Sequence, residues 1–269
     1  MPIGDIYAKL SEKKINKFII KFLGIQDLHS HIRLKPLLKF FEIYFISSRQ
    51  STFNVLEIGC GGGINGFEIG KIGPKLGKQI NYLGVDLSEE AINTAKRIAK
   101  VFNADNKVNF SFYFADAKDF LDNLSSYKPD IVLFIDVLEH LENPEEIIKL
   151  TNEKMNNNGI FLVSVPTPIY PKIFGRKFHG KIGHLVDGYD IYQLDSLFRK
   201  INYRNLTYNY NTGIFSNIGC WLYYNIIGEV KNKYAFCVKN IILYPFKFLD
   251  IFNGPTISSS LFAIYVKEK

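Results

Sequence analysis

A glycine-rich segment after an apolar run limits the fold of this chain more than any other feature. Residues 55–63 read VLEIGCGGG, so four of the five positions after Ile58 are glycine. A strand followed by glycines and a helix is how α/β proteins make room for a nucleotide, because glycine permits sharp turns and close approach of a ligand. Ile64 stands where the dinucleotide fingerprint needs glycine, and the Lys-Ser/Thr of a P-loop is missing. The acidic Glu57 suits a cationic ligand group better than a pyrophosphate.

Strand-like and helix-like segments alternate after this loop. Ser88 and Asn143 are the predicted N-caps of two helices, SEEAINTAKRIAKVF and NPEEIIKLTNEKM. The predicted strands are FNVLEI, INYLGVD, VNFSFYF, IVLFID and GIFLVSV, followed by a helix, IYQLDSLFRKI, and by strands near YRNLTYNY and SSLFAIYVKEK. This pattern predicts an α/β fold, a doubly wound, seven-stranded, mostly parallel sheet.

The pattern divides the chain into four segments. Residues 1–50 are predicted to form an amino-terminal helical cap, with helices at INKFIIKFLGI and LKPLLKFFEIYF, and 51–211 the core. Residues 212–257 form an aromatic-rich insertion, and 258–269 supply the final core strand. On a helix, Lys239, Asn240, Lys247 and Asp250 of the insertion would share one narrow arc, with a break or kink at Pro245. Packing on the core, a lid or dimer surface, and peripheral membrane contact are the alternatives for this segment.

Composition narrows the class of partner. The 269 residues carry a formal net charge of +7, which reflects either compositional bias or attraction to an anionic substrate or membrane surface. The three cysteines have neither disulfide-framework nor metal-finger spacing. The amino terminus does not resemble a signal peptide, and the uncharged stretch 205–228 is a poor spanning helix. The expected compartment is the cytoplasm, with peripheral contact with the inner face of the membrane as an alternative.

Two further carboxylates follow predicted strands. Asp86 ends the second strand, where a carboxylate can accept both hydroxyl groups of a ribose, and Asp116 ends the third strand, within reach of an adenine amino group. Together with the glycine loop, these residues make the chain resemble class I S-adenosylmethionine (SAM)-dependent methyltransferases. The motifs that carry the resemblance are VLEIGCGGG, GVDLSEEAINTAK, FADA, LFIDVLEHLENP and GIFLVSVPTP. The resemblance implies SAM as cofactor and a binding set of Glu57, Gly59, Cys60, Gly61, Gly63, Asp86, Leu87, Asp116, Ala117 and Asp136.

The segment FIDVLEHL follows the fourth strand, where that family places its acceptor. If Asp136 begins a helical turn, Asp136, Glu139 and His140 share one face. The sequence is similar to quinone-type O-methyltransferases and small-RNA 2′-O-methyltransferases, and this resemblance implies that the three residues can hold a divalent metal such as Mg²⁺, with His179 or His184 as a further ligand. The alternatives are that His140 acts as a base without a metal, or that its role is purely structural. The predicted catalytic set is Asp136, Glu139, His140 and His184.

Two other regions are expected to border the site. Arg33 either pairs with the methionine carboxylate of SAM or is a solvated charge at a helix start. The loop after the fifth strand is the predicted acceptor loop, with Tyr170, Arg176, His179 and His184 available.

The sequence therefore predicts a SAM-dependent methyltransferase that methylates oxygen on a small-molecule, glycan or lipid-linked acceptor. RNA 2′-O-methylation and a SAM-binding domain without turnover are the alternatives. Nucleic acid is disfavoured as a partner, since no separate RNA-binding module is visible. Oligomeric state stays open.

Overall fold

The computed structural model describes residues 28–102, 108–223, 238, 242–250 and 252–268. Its seven strands form one sheet in the order β3-β2-β1-β4-β5-β7-β6, in which β7 is antiparallel to both of its neighbours. The strands are β1 (Thr52–Ile58), β2 (Gln79–Asp86), β3 (Val108–Phe114), β4 (Ile131–Ile135), β5 (Ile160–Pro166), β6 (Tyr203–Tyr210) and β7 (Ser260–Lys267). The predicted doubly wound, mostly parallel sheet is confirmed.

Helices lie between and around these strands. They are α1 (Leu28–Ser47), α2 (Ile64–Lys75), α3 (Glu89–Phe102), α4 (Ala117–Asn123), α5 (Pro144–Lys154), α6 (Tyr170–Phe174), α7 (Arg176–Lys181), α8 (Ile191–Arg199) and α9 (Ile214–Leu222), with 3₁₀ helices at Leu138–His140 and Tyr244–Phe248. Ser88 accepts a hydrogen bond from the Ala91 N–H, and Asn143 accepts one from the Glu146 N–H, as the capping prediction requires.

Each face of the sheet carries its own hydrophobic core. On one face α1, α2 and α3 bury side chains such as Phe41, Phe67 and Ile92. On the other face α4, α5 and α8 do the same, with Leu121 and Phe198 fully buried. Burial on both faces explains why the central strands read as nearly continuous apolar runs, as parallel strands covered on both sides do.

Three glycines on α2 let that helix lie close to the sheet. Gly66, Gly70 and Gly73, here called the glycine stripe, face the side chains of Tyr82, Phe110 and Ile80 respectively. A Cβ atom at Gly66 would lie 2.5 Å from the Tyr82 ring. The close packing aligns the start of α2 with the carboxyl ends of β1 and β2.

The segment between β6 and β7 is fastened to the core by polar groups. Asp250 accepts hydrogen bonds from the backbone N–H groups of Gly213 and Ser216, both 2.9 Å, at the start of α9. Pro245 lies in the 3₁₀ helix Tyr244–Phe248. The proposed arc through Lys239 and Asn240, like the predicted helix INKFIIKFLGI, falls outside the described residues. Within the described part of the chain, each helix is too short or too polar to cross a bilayer.

Candidate active site

The carboxyl end of β2 holds the glycine loop in place. The N–H groups of Gly59 and Cys60 both donate to the Val85 carbonyl, at 2.9 and 3.0 Å. The Asp86 carboxylate accepts from the Gly61 N–H at 2.7 Å and from the Ser88 N–H at 2.8 Å. Asp86 therefore shapes the loop itself, a role the sequence did not reveal. Gly59 adopts a φ of 74°, a left-handed conformation that side chains disfavour.

A cavity of about 280 Å³ opens above this loop, here called the cofactor cavity. Its lining includes Arg33 and Leu34 from α1, the loop residues, and Asp136 after β4. Of the residues predicted to bind the cofactor, Gly59, Cys60, Gly61 and Asp136 line this cavity. The cap helix α1 therefore closes over the carboxyl ends of the strands.

Glu57 lies beneath the loop and not on the surface of the cavity. Its carboxyl group accepts a hydrogen bond from the Tyr82 hydroxyl and one from the Asn65 amide, the latter at 2.5 Å. Complete burial raises the pKa of Glu57 to about 8, so the group is protonated at neutral pH. The expectation that Glu57 presents a charge to a cationic ligand is therefore wrong for the ligand-free protein. Asn65, the amide partner of Glu57, does line the cavity.

The predicted adenine side lies at the ends of β2 and β3. Leu87 is 68% exposed directly after Asp86, and Ala117 is buried. The Asp116 carboxylate caps α4, since its Oδ1 accepts from the N–H groups of Lys118 and Asp119. Contact of these residues with an adenine ring stays a prediction.

Arg33 is neither solvated nor far from the site. Its guanidinium forms an ion pair with Asp136, and the two side chains are only 20% and 19% exposed. Asp136 has a φ of 50° and donates its N–H to the Ser164 carbonyl, so it does not begin a helical turn. The expected helical face of Asp136, Glu139 and His140 is therefore wrong, because the 3₁₀ helix starts only at Leu138.

A second cavity of about 210 Å³, here called the acceptor cavity, lies beside the first. Three groups from two segments meet in it: Glu139 and His140 from the 3₁₀ helix, and His184 from the loop after α7. One ligand atom from each lies within 4.8 Å of the others. The lining also includes Tyr170, as expected of the acceptor loop. It further includes Ser260, the first residue of β7, and Ser259 just before it, which the sequence did not predict.

The protonation states of this cluster follow from burial. Burial raises the pKa of Glu139 to about 8. Burial is also the main cause, and the electrostatic effect of the nearby His140 the second, of a His184 pKa lowered to about 4. At neutral pH the first group is a carboxylic acid and the second a neutral imidazole. His140 Nδ1 lies 3.0 Å from the Gly183 carbonyl oxygen, which can only accept, so Nδ1 carries the proton and Nε2 is unprotonated in the neutral ring.

The cluster meets the chemical requirements of a cation site. Both carboxylate oxygens of Glu139 and Nδ1 of His184 are buried without a hydrogen-bond partner among the described residues. Such groups are costly unless something pairs with them, and Glu139, which would give up its proton to a metal, forms with two imidazoles a suitable ligand set for a divalent ion. His179 is not among the residues whose ligand atoms meet here, and its Nε2 lies 3.2 Å from the Val186 carbonyl oxygen. Arg176 lies at the surface near Asp187.

Comparison with known proteins identifies the family of this chain. The family described as "Methyltransferase domain" matches residues 49–202, more than half of the chain. The chain belongs to this methyltransferase-domain family. The matched residues include the glycine loop, Asp86, Asp116 and the Asp136–His140 segment. The family prediction made from the five sequence motifs is thereby confirmed.

Among curated relatives, this methyltransferase-domain protein is similar to proteins named ubiquinone biosynthesis O-methyltransferase. The protein from Rickettsia typhi is 27% identical over 141 residues, 52% of this chain and 51% of the relative. The protein from Hydrogenovibrio crunogenus is 29% identical over 129 residues, 47% of each. The chain thus matches about half the length of these relatives.

Solved structures share the fold of this methyltransferase-domain protein. The plantazolicin methyltransferase BamL, in complex with a triazolic desmethylPZN analog and SAH, superposes with a TM-score of 0.56 at 16% identity, covering 99% of this chain and 96% of that one. A SAM-dependent methyltransferase from Archaeoglobus fulgidus gives a TM-score of 0.54 at 20% identity, covering 95% and 100%. At such identities the likeness concerns the fold.

Proposed function

We propose that this protein is a SAM-dependent O-methyltransferase that acts on a hydroxyl group of a small molecule. The observation that carries the proposal is the adjacency of the two cavities, because Arg33 and Asp136 line both of them. Methyl transfer from a sulfonium is an in-line displacement, which needs the methyl group and the nucleophile aligned across a short distance. The names of the curated relatives agree with oxygen as the acceptor atom.

In this proposal the cofactor cavity holds the methionine part of SAM. The glycine loop offers close backbone approach, and Arg33 lies where it can pair with the methionine carboxylate. Asp86 would receive the ribose while keeping its hydrogen bonds from the N–H groups of Gly61 and Ser88, since each carboxylate oxygen has more than one lone pair. Leu87, Asp116 and Ala117 would border the adenine.

The acceptor cavity supplies groups for the hydroxyl. The unprotonated Nε2 of His140 is suited to take the hydroxyl proton as the methyl group is transferred. Glu139 and His184 are suited to orient the acceptor, because their buried polar atoms have no partner among the described residues. A divalent cation such as Mg²⁺ held by Glu139, His140 and His184 is the alternative to this base, because it would occupy Nε2 of His140 and itself lower the pKa of the acceptor hydroxyl.

An apolar surface on α9 favours an acceptor carried by a lipid. Ile214, Ile218 and Trp221 lie on one helical face and are each 40–46% exposed. They border an apolar groove of about 430 Å³, also lined by Ile173 of α6. Tyr170, at the start of the same helix α6, lines the acceptor cavity. A membrane surface in contact with α9 would therefore present a lipid-linked acceptor, glycan-bearing or not, close to the acceptor cavity.

Thermal unfolding with SAM, with NAD and without ligand tests the cofactor assignment. A ligand at a hundred times its dissociation constant stabilises the folded state by about 2.7 kcal/mol, which for a protein of this size raises the Tm by roughly 2–4 °C. SAM alone should produce this shift, and Asp86→Asn should reduce it. The exposed Asp122→Asn is the matched control and should keep it.

A second variant, assayed for both the SAM shift and methyl transfer, separates binding from turnover. His140→Ala should retain the SAM shift and lose methyl transfer to a catechol-type test acceptor, because only the acceptor cavity has changed. A shift with NAD alone, or undiminished turnover in His140→Ala, would contradict the proposal. A SAM shift without turnover of any tested hydroxyl acceptor would favour a SAM-binding domain instead.

A further inference from the structure

The Arg33–Asp136 ion pair lies between the two cavities. Arg33 comes from the cap helix α1 and Asp136 from the end of β4, and both residues line the cofactor cavity and the acceptor cavity. The backbone of Asp136 adopts the left-handed region, which is uncommon for a residue with a side chain. The pair thus joins the cap to the core at the place where the cavities meet.

Arg33 has hydrogen-bonding capacity left for a second anion. Its Nε is buried and has no partner among the described residues, while its Nη1 pairs with Asp136. A guanidinium presents several donors in one plane and binds a carboxylate best through two of them. A carboxylate entering the cofactor cavity would therefore compete with Asp136 for Arg33.

The pair also affects the electrostatics of the acceptor cavity. Asp136 lines this cavity, but its charge is committed to Arg33. The positive charge of Arg33, which borders the same cavity, also repels a cation beside Glu139, His140 and His184 in the ligand-free state.

We propose that the Arg33–Asp136 pair is a switch through which the cofactor and a divalent cation bind with positive cooperativity. The methionine carboxylate of the cofactor takes Arg33 and neutralises it, and the released Asp136 adds a carboxylate to the Glu139, His140 and His184 cluster. By linkage the cation strengthens cofactor binding by the same factor. The inference rests on the proposed function and names Arg33 as a positioning residue.

Binding of Mn²⁺ to the full chain, followed by electron paramagnetic resonance, tests the switch without turnover. S-adenosylhomocysteine keeps the carboxylate of SAM, whereas 5′-methylthioadenosine lacks it. Saturating S-adenosylhomocysteine should tighten Mn²⁺ binding by about 5- to 150-fold, the usual range of coupling between two sites. Saturating 5′-methylthioadenosine should leave the Mn²⁺ affinity unchanged.

Two variants should separate the contribution of Arg33 to Mn²⁺ binding from that of Asp136. Arg33→Gln should bind Mn²⁺ tightly without any cofactor, and S-adenosylhomocysteine should add little. Asp136→Asn should bind Mn²⁺ weakly in both states. Lys200→Gln, which removes the exposed ion pair with Glu145, is the control and should behave as the wild type.

Three results would overturn the switch: no Mn²⁺ binding, equal Mn²⁺ affinity with and without S-adenosylhomocysteine, or an equal gain with 5′-methylthioadenosine. Calorimetry measures the binding of S-adenosylhomocysteine in the same samples. If that ligand binds but does not change the Mn²⁺ affinity, only the switch fails. If that ligand does not bind, the proposed function fails. If Asp136→Asn does not fold, the two ligands and Arg33→Gln still decide.

Discussion

Glu57, Glu139 and His184 show how single buried residues can make stability depend on pH. Burial raises the pKa of both carboxyl groups from 4.5 to about 8 and lowers the pKa of His184 from 6.5 to about 4. The carboxyl groups hold their protons more tightly in the folded state, so their contribution to stability is present below pH 4.5 and is lost as pH rises through 8. The His184 contribution has the opposite sign and is lost as pH falls from 6.5 towards 4.

Between pH 6.5 and 8 only the two carboxyl groups of these three change. Without cofactor and divalent cations, we expect the free energy of unfolding to fall with pH, by up to about 1.4 kcal/mol per pH unit for each carboxyl group. Urea unfolding at closely spaced pH values measures this slope. Glu139→Gln should remove about half of it, whereas the exposed Glu142→Gln should not. A slope unchanged by Glu139→Gln would show that this carboxyl group does not hold its proton.

At the scale of elements, the placement of α2 decides the shape of the cofactor cavity. The helix starts at Ile64, directly after the glycine loop, and the glycine stripe sets its distance from β2 and β3. Tyr82, which Gly66 touches, also donates to Glu57 beneath the loop. One packing contact thus joins the helix, the sheet and the loop.

Replacing one glycine tests this contact. Gly66→Ala would gain up to about 1 kcal/mol in helix propensity, but the new Cβ would lie 2.5 Å from the buried ring of Tyr82. Overpacking of this kind costs about 1–3 kcal/mol, so we expect net destabilisation and weaker SAM binding. Gly180→Ala on α7 is the control, because a Cβ there meets no atom within 4 Å. Urea unfolding that finds Gly66→Ala as stable as the wild type would contradict the packing argument.

At the scale of the whole molecule, the segment between β6 and β7 presents several exposed apolar side chains. They include Ile214, Ile218 and Trp221 on α9, and Phe248 and Phe252 farther along the same segment. The chain as a whole carries a net charge of +7. Apolar side chains on a basic protein are suited to the surface of an anionic bilayer.

Vesicle sedimentation tests that contact. The protein should bind vesicles that contain phosphatidylglycerol more strongly than vesicles of phosphatidylcholine alone. The double variant Ile214→Ser with Ile218→Ser should reduce binding several-fold, because both side chains lie on the outward face of α9. Tyr192→Ser removes an even more exposed aromatic residue from α8 and should have no effect. Equal sedimentation of the double variant and the wild type would point to another use of α9.

The sequence by itself determined the sheet, the loop and the family. Alternating strands and helices, the capping residues Ser88 and Asn143, and the glycines after β1 are local signals, because each depends on backbone conformation over a few residues. They predicted the seven strands and the family correctly.

Tertiary structure alone decided the charges and partners of the site. Arg33 pairs with Asp136, and Glu139 meets His184, although the residues of each pair are far more than 25 positions apart in sequence. The protonation of Glu57 depends on its complete burial beside Tyr82, which is 25 positions away. Sequence spacing placed Asp136 on a helical face with Glu139, but the left-handed backbone at Asp136 turned it towards the cap helix. Electrostatics and desolvation act through space, so these features appear only when the chain is folded.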